Sequence, residues 1–130
     1  MPDFEQSREI DAAPDAVWRL VSDPDRLADW VPTTTASRPE GADAVHLEGE
    51  SHGHDYDIRS GFVADAAARR LSWDSPRLSG YRGALLVADH ARGSRVTVRV
   101  TIPDALARED EEIVRGLRET LDRIAGLAGG

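Results

Sequence analysis

Hydrophobic and polar positions change their rhythm twice along this chain. Phe4 to Ile10 alternates, which predicts a short strand. Ala13, Ala16, Val17, Leu20 and Val21 then fall at helical spacing and make one apolar face of a short amphipathic helix. Pro14 stands at the first helical position, where a missing N–H costs nothing, and Asp15 complements the helix N-terminus. Asp23-Pro24 reads as the N-cap and first turn of a second short helix. Leu27, Trp30 and Val31 form its apolar side, and Pro32 ends it.

From about Val45 to Ile102 the period becomes two. Val45 and Leu47 share one parity, and Tyr56, Ile58, Ser60 and Phe62 share another across a hairpin near Gly53. Leu71 and Trp73 alternate in a short run, and Ser75-Pro76 with Ser79-Gly80 marks the next turn. Tyr81 to Ala88 is a strand whose hairpin closes at Arg92-Gly93. Val96, Val98, Val100 and Ile102 alternate with Thr97, Arg99 and Thr101, so that strand has one buried face and one wet face.

Pro103-Asp104 breaks the sheet and opens a final helix. Its apolar stripe is Ile113, Val114, Leu117, Leu121 and Ile124. Glu109 to Glu112 precede Arg115, Arg118 and Arg123, an order that complements the helix dipole. Glu111 with Arg115, and Glu119 with Arg123, are spaced as i,i+4 ion pairs.

The predicted order is strand, two short helices, about six strands and a long helix. This is an α+β domain spanning residues 1–130, with an antiparallel sheet of about seven strands. One helix cannot cover both faces of such a sheet. The economical solution is a strongly curved sheet whose concave face wraps around the C-terminal helix. The bend leaves space between helix and sheet, and that space is the natural pocket.

The hairpin register leaves one choice open. A three-residue loop pairing His90 with Ser94 puts Arg82, Ala84, Leu86 and Ala88 on the face of Val96 and Val98. A four-residue loop turns Tyr81, Gly83, Leu85 and Val87 inward instead. Both faces are apolar enough to be buried. An inward Arg82 would need a partner or an anionic ligand.

Composition narrows the function. The chain has 130 residues and no Cys, which removes disulfides, thiolate nucleophiles and Cys-ligated zinc. All 16 cationic side chains are Arg, and the net charge is -8. Such an acidic chain is expected to repel phosphate backbones, so no nucleic-acid partner is expected. No basic run is present to dock on an anionic membrane. The polar, acidic start lacks the features of a signal peptide, and the longest apolar run, Ala84 to Ala88, is too short to insert into a bilayer. A cytoplasmic protein is the expectation.

Candidate chemistry is sparse. Trp18 and Trp73 read as plugs of the sheet and its helical cap, while Trp30 sits where it serves either as a core plug or as a gate to the pocket. Tyr56 and Tyr81 lie on predicted strands, where a phenol either orients a carbonyl ligand inside a cavity or keeps its hydroxyl in water at the sheet edge. With Arg82, these give the candidate ligand-binding set Trp30, Tyr56, Trp73, Tyr81 and Arg82. His46, His52, His54, Asp55 and Asp57 gather around one hairpin, but their parities split, so no metal is expected there. Nothing suggests a bound cofactor. No G-x-S-x-G elbow, G-x-G-x-x-G turn or P-loop occurs.

Several segments resemble one family. Ile10-Asp11-Ala12-Ala13-Pro14 through Val17-Trp18, then Ser22-Asp23-Pro24 and Trp30-Val31-Pro32, resemble the N-terminal signature of the SRPBCC superfamily. This is the START-like group that includes polyketide cyclases and dehydrases, lipid-transfer domains and pollen-allergen-like proteins. Arg70-Leu71-Ser72-Trp73, Gly93-Ser94-Arg95-Val96-Thr97 and the Leu117 to Ile124 helix resemble it too. The resemblance implies a helix-grip fold with an internal cavity for an apolar or aromatic molecule. The Gly-rich loop of the pollen-allergen branch is absent.

Three functions are therefore expected in turn. The first is binding of a small apolar ligand, aromatic, polyketide-like or lipid-like, in the cavity. The second is a polyketide cyclase or dehydratase using Tyr and Arg as placed acid and base. The third is a protein-interaction module resembling a co-chaperone and using the outside of the sheet.

Overall fold

A computed structural model describes residues 3–51, 53–74, 81–91, 93–102 and 110–129. Strand β1 (Asp3–Ile10) leads into helix α1 (Pro14–Val21). A single 3-10 turn (Pro24–Arg26) and helix α2 (Leu27–Trp30) follow. Six further strands come next: β2 (Thr34–Pro39), β3 (Ala44–Ser51), β4 (His54–Asp65), β5 (Arg70–Asp74), β6 (Arg82–His90) and β7 (Gly93–Thr101). Helix α3 (Asp110–Ala128) ends the fold.

The strands form one antiparallel sheet in the order β1-β7-β6-β5-β4-β3-β2. Consecutive strands from β2 to β7 are therefore neighbours, and β1 closes onto β7. The curved seven-stranded sheet gripping a C-terminal helix is the helix-grip architecture that the pattern implied.

The local signals act as physics predicts. Asp23 accepts a hydrogen bond from the Asp25 amide at 3.0 Å and caps the 3-10 turn. Helix α1 buries Val17, Leu20 and Val21 and leaves Asp15 and Arg19 in water. Arg69, in the turn after β4, donates to Asp15 at 2.7 Å and ties that turn to α1. Val96, Val98, Val100 and Ile102 are all buried, whereas Arg99 is exposed and pairs with Asp3 at 2.9 Å. Helix α3 buries Leu121, Ile124 and Ala125, with Leu117 partly buried beside them. Its Glu119–Arg123 pair closes at 2.9 Å.

Two features differ from the sequence pattern. Between Pro32 and Val45 no element was expected, yet β2 occupies Thr34–Pro39 and forms one edge of the sheet. Its side chains are mostly polar and exposed, so it carries no hydrophobic alternation to read. The β6–β7 hairpin has neither a three- nor a four-residue loop. His90 pairs with Gly93, two positions closer than a four-residue loop allows, and Ala91 takes a positive φ of 44°. A two-residue turn fixes the same parity as a four-residue loop: Leu85 and Val87 are buried and Arg82 is exposed. The Ser75–Gly80 turn, Arg92, His52 and the expected start of the last helix at Pro103–Glu109 lie outside the described residues.

Candidate functional site

The concave face is packed at one end and hollow at the other. Where β5, β6 and β7 meet α1 and the last turns of α3, Leu71, Leu85, Val87 and Val96 interlock with Val17, Val21 and Ile124. Toward α2 and the β3–β4 hairpin, a cavity of about 440 Å³ opens between the sheet and α3. Its walls are largely aromatic and aliphatic: Trp30, Tyr56, Phe62, Trp73 and Tyr81, with Leu117 from α3. This size and character suit a small organic molecule.

Three of the aromatics, Tyr56, Phe62 and Trp73, arrive by strand parity. Tyr56, Ile58, Ser60 and Phe62 all face inward along β4, and Trp73 stands opposite Phe62 on β5. Trp30 comes from α2 and is only 4% exposed, so it is a wall of the cavity from its first turn outward. The Trp30 Nε1 donor is buried without a hydrogen-bond partner among the described residues. An unmet donor of this kind costs roughly 1–3 kcal/mol.

Polar groups occupy two places in the wall. The Tyr56 hydroxyl lies 2.9 Å from the Thr34 hydroxyl and 3.1 Å from that of Thr33, so β2 holds the phenol in place. Ser60 donates to the Asp74 carbonyl at 2.6 Å. Tyr81 stands apart chemically: burial pushes its phenol above the ordinary value of 10.0, partly offset by a hydrogen bond from the Trp73 indole. Tyr81 is therefore a neutral phenol at any physiological pH. Because the indole N–H donates to its oxygen, the Tyr81 O–H proton remains to be given to an acceptor.

The candidate residues thus divide. Trp30, Tyr56, Trp73 and Tyr81 come together around one cavity. Arg82 does not join them, because it points to the other face of the sheet. There it lines a wider depression of about 710 Å³ with Arg59, Arg70 and Val63. That depression and the cavity share Phe62, Trp73, Asp74 and Tyr81 as a common partition. Trp18, read as a plug, packs half-buried against the core. The pattern gave no reason to name Thr33, Thr34 or Thr120 as cavity residues, since Thr33 and Thr34 belong to no apolar alternation and Thr120 is a polar residue in the middle of α3.

The His-rich hairpin is built differently from its sequence reading. His46 Nδ1 lies 3.6 Å from Glu40, and its Nε2 contacts Asp57. Side-chain atoms of His46, Glu48 and Asp57 lie within 4.8 Å of one another on the outer face. Two exposed carboxylates flanking a histidine form an ordinary charged surface cluster.

Comparison with known proteins gives this architecture a family. The family model described as polyketide cyclase / dehydrase and lipid transport matches residues 1–129. The chain belongs to this family. Membership supports a ligand-binding or polyketide-cyclase role and does not choose between them. A search of curated proteins found no match. Among solved structures, the Zhui aromatase/cyclase from a Streptomyces species is similar with a TM-score of 0.79 at 20% identity, covering 98% of this chain and 93% of that one. A protein of Thermus thermophilus matches with a TM-score of 0.77 at 21% identity over 96% of this chain and 95% of that one. The di-domain ARO/CYC protein BexL matches over 97% of this chain and 46% of its own, with a TM-score of 0.74 and 22% identity. At these identities the likeness establishes the shared helix-grip fold. No described helix is long and apolar enough to cross a membrane.

Proposed function

We propose that this protein binds a small apolar, aromatic molecule in the cavity between its sheet and α3. The observation that carries this reading is the cavity itself: about 440 Å³ of unfilled space within the fold, walled by five aromatic rings. A fold that served only as a scaffold would fill this volume with side chains, because empty apolar space forfeits dispersion contacts. Trp30, Tyr56, Trp73 and Tyr81 are the ligand-binding residues of this reading.

The polar groups support a ligand with at least one acceptor. Tyr81 offers a neutral O–H, and the Trp30 indole N–H has no partner among the described residues. No cationic side chain lines the cavity among the described residues, and Asp74, which borders it, turns its carboxylate to the outer face beside Gly61. A neutral carbonyl or phenol fits this lining better than a carboxylate, which would be buried there without a counter-ion. Aromatic polyketide-like compounds therefore rank ahead of fatty acids.

The cyclase or dehydratase alternative keeps one supporting observation, the protonated Tyr81 phenol at the cavity wall. Its second expected group, Arg82, lies on the opposite face, so Tyr81 would act without it. Binding without turnover needs fewer placed groups and is the reading we adopt.

A thermal-shift screen of aromatic polyketides, flavonoids and fatty acids tests it. Aromatic compounds should raise the melting temperature and change Trp fluorescence, and a ligand at a hundred times its Kd stabilises by about 2.7 kcal/mol. Trp30→Phe is the control that assigns the fluorescence change, since Trp18 and Trp73 also emit. If no compound shifts the melting temperature, the binding reading fails.

A further inference from the structure

Two glycines on the concave face stand opposite two of the cavity's rings. Gly83 pairs with Trp73 across β5 and β6, and Gly49 pairs with Tyr56 across β3 and β4. A Cβ at Gly83 would lie 2.3 Å from Trp73 Cε2 and 2.4 Å from its Nε1 and Cζ2. A Cβ at Gly49 would lie 2.5 Å from the Tyr56 hydroxyl and 2.1 Å from the Thr33 carbonyl. Non-bonded carbon atoms settle at about 3.5–4.0 Å, so each ring rests where only a glycine leaves room.

Backbone conformation is not the reason for these glycines. Among the described glycines, positive φ occurs at Gly41 and Gly53, not at Gly49 or Gly83. A glycine inside a strand weakens it through chain entropy and the lack of a side chain to pack. What it provides here is space for a ring to lie down on the sheet. The Trp73 indole covers the Gly83 backbone, which shields that stretch of strand from solvent. Both Trp73 and Tyr81 border the cavity. A Cβ at position 83 would displace the ring from the sheet, and the unfilled volume beside it is the space available to receive it.

We infer that Gly83 is a specificity-determining residue: by letting Trp73 lie flat, it sets the width of the cavity and admits ligands wider than a single ring. The inference rests on the binding reading above. The Gly49–Tyr56 pair works in the same way at the other end of the cavity. A Cβ there would also strike the Thr33 backbone, so Gly49 is the poorer residue to vary.

The experiment compares Gly83→Ala with wild type, using phenol and 2-naphthol as one-ring and two-ring probes in calorimetric titrations. Gly83→Ala should weaken 2-naphthol binding by at least about tenfold relative to phenol, as overpacking predicts. Adding Trp73→Leu to Gly83→Ala should restore 2-naphthol binding, because the smaller side chain vacates the space. Equal loss of both probes with no restoration in the double variant overturns the inference. A crystal structure of Gly83→Ala decides the matter without any ligand. The inference requires the Trp73 ring to turn into the cavity and reduce its volume well below that of wild type. Trp73 left in place, with β5 and β6 spread apart instead, refutes it. If wild type binds neither probe, the binding reading fails on its own, while the crystal structure still judges the role of Gly83.

Discussion

The two ends of the concave face are built from similar residues and reach opposite results. At the α1 end, Leu71, Leu85 and Val96 are 0% exposed and meet α1 and α3 with no gap. At the α2 end, strands β4, β5 and β7 carry Tyr56, Phe62, Trp73 and Val100 around empty space. The difference does not lie in hydrophobicity. Branched aliphatic side chains interlock and fill the volume under α3, whereas large rings lying against the sheet line a volume without filling it. Stability is thereby concentrated at one end of the fold, and the other end is left free to take up a ligand.

Deletion of apolar atoms should separate the two ends most sharply. Leu85→Ala leaves a new cavity in the packed end and should cost about 2–5 kcal/mol. Ile58→Ala, at a half-buried position in a wall that already borders empty space, should cost less, about 1–2 kcal/mol, because its three lost carbons are only partly buried. Urea denaturation of both variants measures this, and equal losses would erase the distinction between the ends. Val98 lies 2% exposed at the boundary, so Val98→Ala should fall between them, at roughly 1–3 kcal/mol.

A change of pH should act at the hollow end. The Tyr81 phenol titrates above its ordinary value of 10.0 because it is buried. Its stabilising contribution is complete below the unfolded value and is lost as pH rises through the folded value, since the unfolded chain ionises first. Wild type should therefore lose stability above about pH 10, and Tyr81→Phe should lose less over that range. Identical alkaline profiles would mean that the hydroxyl is not buried. The smallest effect belongs to the surface: Arg123→Ala removes the pair with Glu119 and should cost about 0.2–0.5 kcal/mol. A loss as large as that of Leu85→Ala would contradict the division of labour between core and surface.

The packed end was legible in the sequence because burial on one face writes a period into the chain. Val96 to Ile102 alternate without a break, and their outward partners Thr97 and Arg99 exclude a slip of one residue. The hollow end was legible only in its residues. Tyr56 and Ser60 announce their parity, but neither announces whether the space in front of it is filled. Strand β2 was invisible because an edge strand with polar side chains has no buried face to record. Arg82 depended on the length of a turn, and Ala91 does not advertise the left-handed conformation that it adopts. In the sequence Gly83 is only one of the positions that the hairpin register turns inward or outward, and its purpose becomes visible only when Trp73 is seen lying across it.

The central claim, that the α2 end holds a small aromatic ligand while the α1 end is solid, is tested most directly by an NMR titration of the full chain with 2-naphthol. The account predicts saturable shifts confined to cavity residues such as Trp30, Tyr56, Trp73 and Leu117, with the signals of Val17, Val87 and Val96 unmoved. Saturable shifts centred on those three valines, or no saturable shift with any aromatic probe, would contradict it.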